Sequence, residues 1–327
     1  MKLRIAYSGL TGSQNSYTQK MSEAFSSYGE VADLPAKMAF VRAPLKFLRK
    51  YDVVVFNWIE NKIVNQKGGW SPLGVLKLAG LIAYGKLLAR KTIFVRHNNY
   101  PHAAAAGTGE QMRKFLDHVE MLFDDCVTHS GHNSNERRKY VPHPLYHDRA
   151  PEVAHSNDVY FVVFGRIERY KGIHELIKSY TLEQKLIIAG PCHDPQYKAE
   201  LIRLCDNRNI DLRIGFLSDD EASALVANSL GLLLSHSGKD MIATGSYFFA
   251  AGLGVPVFAV ETPFLKWLAT ELQQPGIHLA ENPADLANHV STAMPPNRGL
   301  IRDAAQLQFG PASVERALKD LLSRKNK

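Results

Sequence analysis

The strongest constraint on the fold is a rhythm. Short runs rich in β-branched and aromatic residues recur along the chain, each followed by a stretch whose apolar residues keep helical spacing. In the first half the runs are L-R-I-A-Y (3–7), D-V-V-V-F (52–56), T-I-F-V (92–95) and D-C-V-T (125–128). In the second half they are V-Y-F-V-V-F (159–164), K-L-I-I-A (185–189), D-L-R-I (211–214), G-L-L-L (231–234) and V-P-V-F-A-V (255–260). Near-continuous apolar runs mark strands buried on both faces, and a strand–helix–strand repeat builds a parallel sheet covered by helices. Between the halves, V-P-H-P-L-Y-H-D-R-A-P-E-V-A-H-S-N (141–157) halts any regular element and reads as an interdomain linker. Two α/β domains joined there would leave a cleft between the carboxyl ends of their strands, where such sheets bind ligands. A length of 327 residues suits two cores rather than one. Val314, Leu318, Leu321 and Leu322 keep helical spacing in 311–324, so a last amphipathic helix closes the chain.

Composition narrows the function classes. With 45% hydrophobic and 22% charged residues the chain is globular rather than disordered. Lys and Arg outnumber Asp and Glu by 39 to 32, a moderate excess that suits an anionic substrate or an anionic membrane surface, not the dense basic stripe of a nucleic-acid binder. Cys126, Cys192 and Cys205 are widely spaced with no C-x-x-C, so neither a disulfide framework nor a zinc site is indicated, and a reducing compartment is expected. The N-terminal run is too short for a signal peptide, and Lys77 and Lys86 break the longest apolar stretch (74–89) below a membrane span. The expected location is cytoplasmic, with peripheral contact on the inner face of the cell membrane as a further expectation.

The chemistry concentrates where strands end. F-G-R-I-E-R-Y-K-G (164–172) follows a buried run and precedes a helical one. Gly165 lets the backbone turn sharply, Arg166 offers a planar fork and Lys171 a point charge. Gly172 stands where free helix amides also favour negative charge. A diphosphate fits these features; so does a surface salt-bridge pair with Glu168 and Glu175 as partners. Further on, S-H-S-G-K-D-M-I-A-T-G-S-Y-F-F-A-A-G-L-G-V-P-V (235–257) runs from a polar loop into a small apolar helix. Thr244, Gly245 and Ser246 can present amides and hydroxyls to a phosphate, or simply cap that helix.

G-R-x4-K-G after a strand, L-I-I-A-G (186–190) and A-x-G-x-G-V-P-V (250–257) together resemble the donor-binding half of GT-B glycosyltransferases, particularly the family-4-like group. The match spans most of 158–260. It implies a GT-B fold, two Rossmann-like parallel-sheet α/β domains facing across a cleft, with residues 1–148 binding the acceptor, 149–310 the nucleotide sugar, and 311–327 as a C-terminal helix packing back on the N-terminal domain. It also implies that Arg166 and Lys171 hold the donor diphosphate. The chain departs from the family at its Glu-x7-Glu pair, whose positions are Met241 and Phe249 here. The T-G-S segment, with F-N-W-I-E (56–60) and V-R-H-N-N-Y-P-H (95–102), resembles bacterial exopolysaccharide transferases of the β-mannosyltransferase type. That resemblance implies a UDP- or GDP-linked sugar as co-substrate, no metal or other cofactor, a saccharide or lipid-linked saccharide acceptor, and no nucleic-acid partner. The missing pair equally suits a catalytically silent nucleotide-binding scaffold of an assembly complex.

In the N-terminal half, His97 and Asn98 lie just past the T-I-F-V run, where a side chain points toward ligand. His97 is a candidate base or sugar contact, or a histidine satisfied by backbone. Trp58 and Glu60 end the preceding run, and Glu60, Asp117 and Asp125 are the acids near expected strand ends, with Glu60 nominated as base. S-G-L-T-G-S-Q-N (8–15) brings Gly9, Thr11 and Gly12 to a loop that opens a helix, suited to phosphate or acceptor, or to a plain turn and cap. Its G-x-x-G spacing is not a dinucleotide fingerprint. Finally, 42–50 and 74–91 combine bases with apolar residues at helical spacing, which suits either an anionic lipid surface or a helix covering the sheet.

Overall fold

A computed structural model of the chain describes residues 2–10, 16–105, 107–147, 159–238, 241–292 and 297–323, with backbone alone at 38, 40, 41, 287–289, 291 and 292. The chain divides into two compact units: Met1–Pro144 with Asp240–Ala243 and Pro311–Lys327, and Leu145–Lys239 with Thr244–Gly310.

In the first unit, β1 (Leu3–Tyr7), β2 (Gly29–Asp33), β3 (Tyr51–Asn57), β4 (Ala89–Val95), β5 (Asp125–Thr128) and β6 (Arg138–Tyr140) form one parallel sheet in the order β2-β1-β3-β4-β5-β6. Its helices are α1 (Ser16–Ser26), α2 (Lys37–Arg42), α3 (Pro44–Phe47), α4 (Pro72–Leu88) and α5 (Gly109–Glu120). Leu78, Ile82 and Leu88 of α4 and Met112, Leu116 and Val119 of α5 bury one face against Phe56, Phe94 and Phe123. Each fully buried side chain of this kind contributes roughly 1.5–3 kcal/mol.

In the second unit, β7 (Tyr160–Phe164), β8 (Lys185–Gly190), β9 (Ile210–Ile214), β10 (Gly231–Leu234), β11 (Val257–Val260) and β12 (Ile277–Ala280) are also all parallel, in the order β12-β11-β10-β7-β8-β9. Its helices are α6 (Ile173–Ser179), α7 (Pro195–Cys205), α8 (Asp219–Ala227), α9 (Gly245–Gly252), α10 (Pro263–Thr270), α11 (Pro283–Thr292) and α12 (Arg298–Phe309). The last helix, α13 (Pro311–Ser323), belongs to the first unit. There Tyr28 donates to the Glu315 carbonyl at 2.7 Å, and buried Lys91 donates to the Leu321 carbonyl at 2.8 Å while pairing with Asp125 at 2.6 Å.

Strand order reverses beside β1 and β3 in the first sheet and beside β7 and β10 in the second. At such switch points the loops leaving adjacent strands splay apart and leave a crevice for ligand. These are the loops after β1 and β3 in the first unit, and in the second the loops 165–172 and 235–238.

Three expectations change. β2, β6 and β12 escape the periodic reading, and all three are edge strands that need no continuous apolar run. The stretch 74–91 is not helical to its end: Ala89–Lys91 already belong to β4, because Arg90 faces out while Lys91 turns in to its buried pair. Residues 141–145, read as linker, are buried. Among the described residues no helix is long and apolar enough to cross a membrane.

Candidate functional site

In the second unit, β7 ends at Phe164 and the chain turns through Gly165, whose φ of +107° lies in the region that favours glycine. A Cβ at Gly165 would stand 3.6 Å from Ser246 Oγ and 3.7 Å from Lys171 Nζ, so hydroxyl and ammonium flank the same open face. Gly190 makes this turn possible. A Cβ there would meet the Gly165 carbonyl oxygen at 2.1 Å, so only glycine lets β8 lie this close to the turn.

Lys171 is aimed by a neighbouring loop. Ser235 Oγ donates to the Lys171 carbonyl at 2.7 Å, and His236 Nδ1 lies 3.0 Å from the Tyr170 carbonyl. Gly172 then reverses the chain with φ +64° into α6. Lys171 is half-buried, and this desolvation, with the charge of Arg166 next and a small opposing contribution from Glu168, brings its pKa down from 10.5 to about 8. The side chains of Arg166 and Lys171 make no hydrogen bond or ion pair among the described residues, and Arg166 is exposed. The salt-bridge alternative therefore fails for both. The cation that is paired is Arg169, which donates to Glu200 at 2.7 Å and stacks over Tyr197 at 4.6 Å. Thr244 is the N-cap residue of α9, yet its side chain makes no capping bond, and Ser246 Oγ reaches only the Phe164 carbonyl at 3.4 Å. The first turn of α9 thus brings the Ser246 hydroxyl to the same face of Gly165 as the Lys171 ammonium, an arrangement suited to an anion. Phe249, one of the two positions of the missing glutamate pair, is buried among Phe164 (4.8 Å), His147 (4.7 Å) and Tyr146 (5.9 Å). Met241, the other, is also buried.

In the first unit the strand ends gather a different group. Asn57 closes β3, and Trp58 follows with φ +52°, a left-handed conformation unusual for a bulky residue. The Trp58 ring stacks on His97 at 4.5 Å, with 15° between planes. His97 Nε2 lies 3.2 Å from Asn57 Oδ1, which fixes Nε2 as the protonated nitrogen if that oxygen accepts. Tyr17 of α1 meets His97 (5.0 Å), His129 (5.3 Å) and His143 (4.9 Å) ring to ring. Its hydroxyl lies 2.7 Å from His129 Nε2, while His129 Nδ1 lies 2.9 Å from the Val141 carbonyl. Because a carbonyl only accepts, His129 carries its proton on Nδ1 and accepts from Tyr17.

All three imidazoles are held neutral. Burial, then the rings of His129 and His143, keeps His97 well below 6.5; burial first, then His129, does the same to His143; burial brings His129 down to about 4. Glu60, completely buried, accepts from the His97 amide at 3.3 Å, and burial lifts its carboxyl from 4.5 to about 7. Asn57 Nδ2 and Glu60 Oε2 are buried with no hydrogen-bond partner among the described residues, so two unsatisfied polar atoms sit beside His97. Asn98 is buried, pairs with Met241 through an antiparallel bridge, and gives its carbonyl to Arg96 Nε at 3.1 Å.

Arg96 is fully buried and organises this loop. It bonds the Asn99 carbonyl at 2.5 Å, Asp117 at 2.6 Å and Glu120, while Arg138 grips the same two acids at 2.8 Å each. This corrects two of the acids considered above: Asp117 belongs to a buried ion network, and Asp125 stands at the amino end of β5 paired with Lys91, so neither faces ligand. Gly9 turns the chain after β1 with φ +87° and open space above it, while Thr11 and Gly12 lie outside the described residues. Sequence reasoning missed Tyr17, Asn57, His129 and His143. His129 carried a usable signal, since it follows D-C-V-T as His97 follows T-I-F-V; Tyr17 and His143 come from a helix and an irregular stretch, where periodicity says nothing.

Neither a protein-family model nor a curated protein matches the chain. Solved structures do. The chain is similar to Anabaena Alr3699/HepE in complex with UDP-glucose, with TM-score 0.70 and 13% identity over 98% of this chain and 99% of that one. It is similar to sucrose-phosphate synthase from Thermosynechococcus elongatus (TM-score 0.68, 12% identity, 98% of each chain) and to AviGT4, a glycosyltransferase of avilamycin A biosynthesis (0.59, 15%, 98% and 97%). The fold, two parallel-sheet α/β units spanning the full length of these neighbours, is GT-B.

Proposed function

We propose that the protein is a glycosyltransferase that takes a sugar from a nucleoside-diphosphate sugar. The observation that carries the reading is the pair Arg166 and Lys171: two like charges at one strand end, one half-buried, neither partnered by an acid among the described residues. Like charges held together without a counterion are costly unless a ligand supplies the negative charge. In the reading, the diphosphate lies over Gly165, bridged by Arg166 and Lys171, with Ser246, Gly245 and Thr244 completing the grip and Gly172 shaping it. These fixed donors stabilise the nucleoside diphosphate as it leaves, so no metal is required for that step. The UDP-glucose bound by the Anabaena neighbour supports a uridine nucleotide as the first donor to try.

His97 is proposed as the group offered to the acceptor hydroxyl. It is neutral at physiological pH, its Nε2 is engaged by Asn57, and its Nδ1 is then the lone-pair nitrogen that can accept a proton. Glu60, which holds the His97 amide from a fully buried position, is proposed to position that loop rather than to act as base. Gly9, Trp58 and Asn98 remain proposed acceptor contacts. The acceptor is proposed to be a saccharide, lipid-linked, in bacterial surface or exopolysaccharide assembly, with a β-mannosyltransferase-type relative as the nearest functional analogue and the cytoplasm as the location.

The alternative of a silent nucleotide-binding scaffold draws on the burial of Phe249 and Met241 where glutamates were expected. Turnover separates the two. Purified protein incubated with UDP-glucose, UDP-N-acetylglucosamine, GDP-mannose and a lipid-linked acceptor extract is assayed for released nucleoside diphosphate. The reading predicts release from one donor, abolished in Arg166→Ala; tight nucleotide binding with no release from any donor supports the scaffold.

A further inference from the structure

Helix α4 has an outer face that its fold does not explain. Its inward side, Gly74, Leu78, Ile82, Gly85 and Leu88, is buried against the first sheet. The opposite side is apolar too. Leu73, Leu76, Gly80, Ala83 and Leu87 recur at steps of three and four and form one stripe, and all five are exposed, the leucines at 59%, 69% and 45%. A surface helix ordinarily turns polar residues outward. Here the only charges on α4 are Lys77 and Lys86, and at about 100° per residue they fall on opposite flanks of the stripe. The turn Pro44–Lys50 adjoins the end of this helix, since the Arg49 amide bonds the Leu87 carbonyl at 2.8 Å. It adds Leu45, 87% exposed, and Leu48, 47% exposed, together with Lys46 and Arg49.

The charge around this patch is one-sided. Residues 37–90 hold ten Lys and Arg against two acids, a net of +8, where the whole chain carries +7. Neither acid offsets the patch: Glu60 is fully buried and Asp52 accepts from Arg4. Lys46, Lys77, Lys86 and Arg90 make no ion pair among the described residues. A second copy of the chain on this face would set lysines against lysines, so the charge argues for an anionic occupant.

We infer that the outer face of α4 and the Pro44–Lys50 turn form a docking surface for an anionic lipid bilayer. The leucines enter the headgroup boundary, and Lys77 and Lys86 extend along the stripe to reach lipid phosphates on either side. For its purpose, delivering the enzyme to a lipid-linked acceptor, the inference rests on the function proposed above. Its geometry does not depend on that function.

The test is co-sedimentation of the full chain, without nucleotide, with vesicles of phosphatidylcholine alone and of phosphatidylcholine with one third phosphatidylglycerol. Binding is expected to the anionic vesicles only and to weaken with salt. Lys46→Gln/Lys77→Gln/Lys86→Gln is expected to weaken it on the order of a hundredfold, at roughly fivefold per base. Leu73→Ser/Leu76→Ser, at exposed positions where folding is undisturbed, is expected to weaken it at least tenfold. Equal binding to both vesicle types, no binding to either, or concentration-dependent dimers that Leu76→Ser dissolves would each overturn the inference. Nucleotide titration of the same variants keeps this result separate from the donor site: lost vesicle binding with intact nucleotide affinity concerns the membrane face alone.

Discussion

At pH 8 about half of the Lys171 side chains carry a proton, because desolvation and the charge of Arg166 bring the pKa from 10.5 to about 8. That shift corresponds to about 3 kcal/mol of disfavour for the ammonium. A diphosphate seated between Arg166 and Lys171 opposes the shift with charge-assisted hydrogen bonds and moves the pKa back toward 10.5. Binding at pH 8 should therefore take up about half a proton, rising to about nine-tenths near pH 9. Nucleoside diphosphates lose their last proton near pH ~6, so above pH 8 the ligand itself contributes little. The assay is calorimetric titration with UDP and GDP in buffers of different ionisation enthalpy, where the slope of the apparent enthalpy gives the protons exchanged. Lys171→Met should abolish the uptake and weaken binding by about ten- to a hundredfold, the loss of one charged hydrogen bond. Intact binding with no proton uptake at pH 8 in the natural protein would refute the placement of phosphate beside Lys171.

Other expectations follow from the first unit. Glu60, with its folded pKa raised to about 7, is protonated more readily folded than unfolded, so its contribution falls as pH rises from 4.5 to 7. Glu60→Gln should gain up to about 3 kcal/mol relative to the natural protein between pH 5 and pH 8, measured as a difference in urea midpoint; a gain equal at both pH values would contradict the raised pKa. His129 titrates near 4 when folded and near 6.5 when unfolded, so the unfolded chain binds more protons in that window. Stability is whole above pH 6.5 and declines as pH falls toward 4, and His129→Phe should flatten that decline; an unchanged profile would contradict it. Arg96→Met leaves Glu120, 3% exposed, short of a partner and should destabilise by about 3–5 kcal/mol; a loss within about 1 kcal/mol in chemical denaturation would show that Arg138 suffices.

The double α/β organisation was legible because buried parallel strands are written as continuous apolar runs, and the central strands β1, β3, β4, β7, β8, β10 and β11 all carry one. Edge strands such as R-K-Y at 138–140 do not, and they were missed. At the Gly165 turn the signal was strong, since Gly165, Arg166 and Lys171 are successive features of one turn, and local sequence order is enough to bring them together. The His97 site is different in kind. Tyr17, Asn57, His97, His129 and His143 come from five places in the chain: parallel strands ending at one edge of the sheet bring Asn57, His97 and His129 together, and a helix and an irregular stretch add Tyr17 and His143. No local pattern encodes that meeting. The same distinction explains Asp117 and Asp125: as acids in sequence they resembled bases for catalysis, and only their buried partners Arg96, Arg138 and Lys91 show them to be structural.

Three cations of one loop, Arg166, Lys171 and Arg169, differ in whether a partner neutralises them, and nucleotide binding should follow that difference. Titration of UDP, GDP and ADP into the natural protein and into Arg166→Ala, Lys171→Ala and Arg169→Ala tests it. One nucleotide should bind, with the first two variants each weaker by roughly 1.5–3 kcal/mol and Arg169→Ala, whose charge is spent on Glu200 and Tyr197, within about twofold of the natural protein. No binding of any nucleotide, or an Arg169→Ala loss as large as the other two, would contradict the claim that F-G-R-I-E-R-Y-K-G grips a diphosphate through Arg166 and Lys171.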